Sequence, residues 1–178
     1  MRRFLLLALA LFAPAVTASA KTFLSQQDAL ASAFGDAKLD RQTSFLTPAE
    51  VAAANRESGV EFEDRLVIRY CASKDGKIVG YAYFDAHRVR TLPETVMIVV
   101  RPDRTIERVE ILSFGEPEDF LPKRRWLDQL RGRKLSPELS LQRAIRPISG
   151  ATLSGRAIVN ASRKALAIHN TIEARSAP

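Results

Sequence analysis

Val60-Glu61-Phe62-Glu63-Asp64-Arg65-Leu66-Val67-Ile68-Arg69-Tyr70 is the stretch on which the fold turns, because Phe62, Leu66 and Ile68 interleave with Glu61, Arg65 and Arg69. Alternation with a period of two places one set of side chains on each face of a pleated backbone, so the segment predicts a half-buried strand. Asp75-Gly76 follows as a two-residue hairpin signal, and Ile78 to Phe84 supplies the returning strand. The arrangement recurs downstream, with Thr95 to Val100, a turn at Pro102-Asp103, and then Ile106 to Leu112. Two successive hairpins predict an antiparallel sheet of about four or more strands.

Helical signals stand on both sides of these strands. Ser25 to Phe34 and Thr47 to Ala54 are Ala-rich, and Thr47-Pro48-Ala49-Glu50 carries a capping threonine, a proline at the first helical position and a glutamate three residues on. Two short helices are expected ahead of the sheet. Pro117 to Leu130 reads as a third helix, with Phe120, Leu121, Trp126, Leu127 and Leu130 as its apolar members, ended by Arg131-Gly132-Arg133. Leu153, Ala157, Ile158, Ala161, Ala165 and Ile168 then recur at helical spacing, while Arg156, Asn160, Arg163 and Lys164 fall on other faces. The class is α+β: an antiparallel sheet flanked by helices in a single domain, with a core over about residues 60–172 behind an N-terminal helical segment. Ala174 to Pro178 reads as a loose tail.

The first 20 residues predict an export signal: Arg2 and Arg3, an apolar run from Phe4 to Val16, and a small-residue cleavage site at Ala18-Ser19-Ala20. The mature protein, residues 21–178, begins at Lys21 and is expected to be periplasmic or otherwise extracytoplasmic and soluble. The apolar run falls short of the roughly 20 residues of a comfortable membrane span, and an uncleaved anchor is the other reading. Cys71 is the single cysteine, so no internal disulfide forms, and within its strand it reads as a small core residue. The formal charge of +7 gathers partly in Lys123, Arg124, Arg125, Arg131, Arg133 and Lys134. Neither zinc-ligand spacing, nor a helix-turn-helix pattern, nor an aromatic stacking repeat accompanies it, so a nucleic-acid partner is not expected. An anionic cofactor, an acidic electron partner or a membrane surface suits the charge, as does a merely solvated helix face.

Ser149-Gly150-Ala151-Thr152 opens the last helix. A helix start offers unpaired N–H groups and the positive end of the dipole to an anion, Gly150 allows close backbone approach, and Thr152 adds a hydroxyl that can itself be esterified. The same residues are also ordinary helix starters, and a simple cap is the alternative.

Ser149-Gly150-Ala151-Thr152 with Leu153-Ser154 and the amphipathic helix behind them resembles the flavinylation motif of the FMN-binding domain family. That family includes flavin-bearing components of the sodium-pumping NADH:quinone oxidoreductase and of the Rnf complex, together with free-standing extracytoplasmic relatives. Phe114-Gly115-Glu116-Pro117, Phe120-Leu121-Pro122, Trp126-Leu127, Gln129-Leu130 and Gly132-Arg133 resemble a second block of the free-standing members. The likeness spans roughly residues 75 to 170. It implies FMN as cofactor, esterified through its phosphate to Thr152 by an FMN transferase, and contact of Glu116 with the ribityl or ring region, for which an ordinary turn carboxylate is the other reading. It further implies an exported electron carrier, working with a membrane or periplasmic redox partner, rather than an enzyme with its own turnover. The chain departs from the pattern at Arg146, where family motifs carry Asp six residues before the acceptor, and a phosphate partner is a second role for that arginine.

Other candidates divide between chemistry and architecture. Trp126 either stacks on the isoalloxazine or fills the core. His87, beside Asp85 and just beyond the second strand, is either a proton donor to a reduced flavin or a surface histidine in a turn. His169 reads as a favourable charge at the negative end of the last helix. No metal-ligand spacing is present, and no Gly-x-Ser-x-Gly elbow supports a hydrolase, so no catalytic residue is assigned. Two other functions compete with the carrier: an exported module that holds FMN or another anion noncovalently at the same helix start, and a scaffold domain in which Thr152 is only a cap.

Overall fold

The predicted hairpins form, and their turns explain why. The structure, a computed structural model, describes residues 20–176; residues 1–19, with nearly all of the predicted export signal, and residues 177–178 lie outside it. β3 (Leu66–Lys74) and β4 (Lys77–Arg88) join through Asp75 and Gly76, whose φ angles of 52° and 75° are the left-handed values that a tight hairpin turn demands. β5 (Pro93–Val100) and β6 (Ile106–Phe114) make the second hairpin. Two further strands complete an antiparallel six-stranded sheet: β1 (Lys21–Thr22) pairs with β6, and β2 (Lys38–Phe45) pairs with β3, giving the order β1-β6-β5-β4-β3-β2. The chain is thus one α+β domain.

Alternation along β5 decides which helix covers which face. Val96, Ile98 and Val100 enter the main core with α2 (Pro48–Ser58) and α4 (Thr152–Ser176), whereas Met97 and Val99 join Ala29 and Leu30 of α1 (Gln26–Phe34) in a smaller cluster on the opposite face. Covered on both sides, Val96 to Val100 are at most 2 % exposed, which is why that strand reads as a continuous apolar run. Ser25 caps α1, and Thr47 with Glu50 closes the expected capping box on α2.

Five expectations are corrected. β2 separates the two N-terminal helices; it is an edge strand that covers little core, its residues are mostly polar, and its apolar Leu39 and Phe45 are exposed, so no alternation is there to read. The strand predicted from Val60 begins only at Leu66. Pro117 to Leu130 is not one helix: Pro122 holds Leu121 extended at φ −74°, ψ 119°, leaving a 3-10 turn at Glu118–Phe120, the short helix α3 (Arg124–Leu127) and a second 3-10 turn at Asp128–Leu130. α4 runs on to Ser176, and Arg175 is bound to Glu50 and to the Phe45 carbonyl, so the chain is not loose from Ala174. His87 lies within β4, paired with Glu94 of β5, and not in a turn.

Candidate functional site

The start of α4 is built differently from the other two long helices. Ala151 occupies its cap position and has no side-chain acceptor, where α1 and α2 have Ser25 and Thr47. Gly150 turns the chain at φ 77°, a left-handed value that glycine adopts without strain. Ala151 N–H donates to the Ile148 carbonyl at 3.2 Å, the Thr152 hydroxyl donates to the same carbonyl at 3.3 Å, and Gly155 N–H returns to the Ala151 carbonyl at 3.1 Å. The N–H groups of Thr152 and Leu153, both exposed residues, have no acceptor among the described residues, and the positive end of a 25-residue helix stands behind them; Ser154 is buried. A simple capping role does not describe this end, because neither Ser149 nor Thr152 accepts a bond from it.

The loop that leads into this end is clamped from outside. The Trp126 indole N–H donates to the Arg146 carbonyl at 2.7 Å, and Arg146 N–H donates to Gln129 Oε1 at 2.9 Å. The Trp126 ring lies against α4 at Gly155, where a Cβ would stand 3.1 Å from the ring. A glycine inside a helix costs about 1 kcal/mol relative to alanine, and this close approach of an aromatic ring is its reason.

Thr152 is exposed on a ridge between two clefts. One, about 250 Å³, is lined by Arg90, Phe120 and residues 150–154; the other, about 520 Å³, includes Thr152, Gln142, Arg143, Arg156, Asn160 and Arg163. Arg163 is committed to the carbonyls of Ser58, Ser136 and Leu139, and Arg143 pairs with Glu138. Arg90 and Arg156 have no carboxylate within ion-pair distance among the described residues; Arg90 lines the first cleft and Arg156 the second, with Thr152 in both.

Glu116 joins the site indirectly. Its Oε1 accepts from the backbone N–H groups of Thr91, Leu92 and Arg90 at 2.9, 3.1 and 3.2 Å, and these bonds, that of Thr91 foremost, hold its carboxyl below the ordinary range. Glu116 therefore pins the turn that carries Arg90. The Arg90 guanidinium lies over the Phe120 ring at 5.5 Å.

The two histidines sit elsewhere and in opposite states. His87 bonds Asp85 Oδ1 at 2.8 Å through Nδ1 and Glu94 Oε2 at 2.9 Å through Nε2. Burial works against its charge, yet the two carboxylates outweigh burial and bring its pKa to about 9. It borders a separate cleft with Phe62, Ala157, Asn160 and Lys164, and is not brought to the cleft beside Phe120. His169 is not the charged helix-end residue that the sequence suggests: it is fully buried, bonded through Nδ1 to Tyr83 at 2.9 Å, and burial lowers its pKa to about 4. Cys71 is buried as expected.

The structure thus gathers Ser149, Gly150, Ala151, Thr152, Leu153 and Ser154 at one helix start, with Trp126 beside it and Glu116 behind it. Leu153, assigned by spacing to the apolar stripe, is 47 % exposed because the helix has barely begun to cross the core there. Sequence reasoning missed Arg90, which sits in a turn without pattern, and the packing role of Gly155, for which a glycine inside a helical period is the available signal.

An α+β domain with an uncapped, cation-flanked helix start and an apolar cleft beside it belongs to the class that seats an anionic, ring-bearing cofactor. Residues 92–167 match the FMN-binding domain, and a segment of that kind indicates FMN as the cofactor. No curated protein and no solved structure matches the chain. The residues present fit the group: the N–H groups of the helix start and Arg156 suit its phosphate, and the cleft of Phe120, Leu153 and Arg90 suits its ring.

Proposed function

We propose that the protein is an exported electron carrier whose FMN is joined by a phosphoester to Thr152. The observation that carries this reading is the exposed Thr152 hydroxyl on a helix start that has no capping side chain. A phosphate on that oxygen would be met by first-turn N–H groups, where α1 and α2 each give one such group to a capping side chain, and would sit beside the cleft of Arg156. In the attachment step the Thr152 Oγ–P bond forms as the P–O bond to the leaving phosphate of an activated flavin phosphoanhydride breaks. The hydroxyl proton passes to a base of the FMN transferase. When bound, the flavin supplies the exchange of electrons. The chain's residues hold and orient it: the α4 amides bind the phosphate, Trp126 and Gln129 fix the entering loop, and the basic surface favours a negatively charged redox partner.

Export rests on the N-terminal signal of the sequence; among the described residues no helix is long and apolar enough to cross a membrane. Expressed in full, the protein is expected outside the cytoplasm with Lys21 as its first residue, which fractionation and N-terminal sequencing check. Coexpression with an FMN transferase followed by peptide mass spectrometry tests the linkage. A flavin phosphate adduct on Thr152, absent from Thr152→Ala, is the expected result; a yellow Thr152→Ala protein that loses its colour in urea would replace the tether by noncovalent binding.

A further inference from the structure

We infer that Arg90 is the flavin's ring-side cation, resting against the isoalloxazine in the cleft beside Thr152, and that Glu116 acts on the flavin by holding Arg90 there. The inference deepens the reading above in taking that cleft as the flavin's seat, but it does not require the ester. Three observations converge on Arg90. It lines the same cleft as residues 150–154. No carboxylate lies within ion-pair distance of its guanidinium among the described residues, although Glu116 feels its charge, and the guanidinium lies over the Phe120 ring at 5.5 Å. Its backbone is fixed by a buried carboxylate: Glu116 is 8 % exposed and accepts three successive N–H groups of the turn, an arrangement that gives a short exposed loop one conformation.

A planar cation beside a planar ring system can stack on it or donate to its carbonyl edge, and in either pose it favours the negative charge that the ring gains on reduction. The other cleft offers Arg156 at the phosphate side, so the two unpaired arginines divide the cofactor between them. Glu116 is a positioning residue here: its carboxylate faces backbone amides and works through the loop.

The test uses the full-length protein and its Arg90→Gln, Arg90→Lys and Glu116→Gln variants. In attached protein, with tether occupancy measured by intact mass, Arg90→Gln is expected to cost about tenfold in the preference for reduced over oxidised flavin, which lowers the two-electron midpoint by about 30 mV. Arg90→Lys keeps the charge and restores most of that loss. Glu116→Gln shifts the midpoint in the same direction by less and adds little in the Arg90→Gln background, the non-additivity expected of one residue acting through another. In a Thr152→Ala chain, free FMN is titrated by quenching of Trp126 emission, and Arg90→Gln is expected to weaken binding by about tenfold. An unchanged midpoint in attached protein, or an unchanged dissociation constant in the Thr152→Ala chain, overturns the inference. A wild-type chain that never acquires the adduct would sink the tether alone, since the titration decides Arg90 without it.

Discussion

Raising the pH from 6.5 to 9 is expected to remove about 3 kcal/mol of folding stability through one side chain, His87. In the folded protein its imidazole is held between Asp85 and Glu94 with a pKa of about 9, against an ordinary value of 6.5. Because the folded pKa is the higher one, the stabilisation is complete below pH 6.5, where both states carry the proton. It falls by about 1.4 kcal/mol per pH unit while only the folded state carries it, and is gone above pH 9. The interval of about 2.5 pH units gives the total, and with the side chain only 19 % exposed, solvent screening removes little of it. Urea denaturation at fixed ionic strength, followed by the emission of the single tryptophan, measures the curve, and the difference between wild type and His87→Gln isolates the histidine. A Cys71→Ala background removes the other group in this range, a buried thiol whose pKa burial raises. Parallel stability curves for wild type and His87→Gln between pH 7 and 9 would refute the argument, because they would mean that the buried carboxylates do not hold the imidazolium.

His169 produces the mirror-image limb: its folded pKa of about 4 lies below the ordinary 6.5, so stability is complete above pH 6.5 and falls by about 3 kcal/mol as the pH drops to 4, a slope that His169→Gln removes from the acid side of the same titration. Gly155→Val drives a branched side chain into the Trp126 ring, and is expected to cost about 1–3 kcal/mol and to shift tryptophan emission to the red as the ring leaves α4; unchanged emission contradicts the packing described. Thr47→Ala opens the capping box of α2 and is expected to cost about 1 kcal/mol in urea denaturation without altering flavin attachment.

What could be read from the chain follows the range of the forces involved. β3 to β6 were legible because Asp75-Gly76 and the alternation on either side of it are local consequences of backbone sterics and one-sided burial. β2 was not, because an edge strand exposes both faces and its pairing with β3 is a contact between distant segments. Pro117 to Leu130 misled by apolar spacing, although Pro122 was the signal for the break. At the site, Ser149 to Ser154 were legible as a helix start and as a family motif, but that this start lacks a cap while α1 and α2 have theirs is a fact of hydrogen bonding in space. Glu116 was singled out by resemblance, and only the fold showed that its carboxylate faces the amides of the turn at Arg90 to Leu92.

The histidines mark the division most clearly. Sequence by itself determined an antiparallel α+β domain with Thr152 at the mouth of its last helix, since strand alternation, turn chemistry and helix starts are properties of neighbours along the chain. Tertiary structure alone decided that His87 is charged and His169 neutral, and that Arg90 shares a cleft with Thr152. Charge states and clefts depend on which distant groups approach and how much water they exclude, and neither quantity exists until the chain has folded.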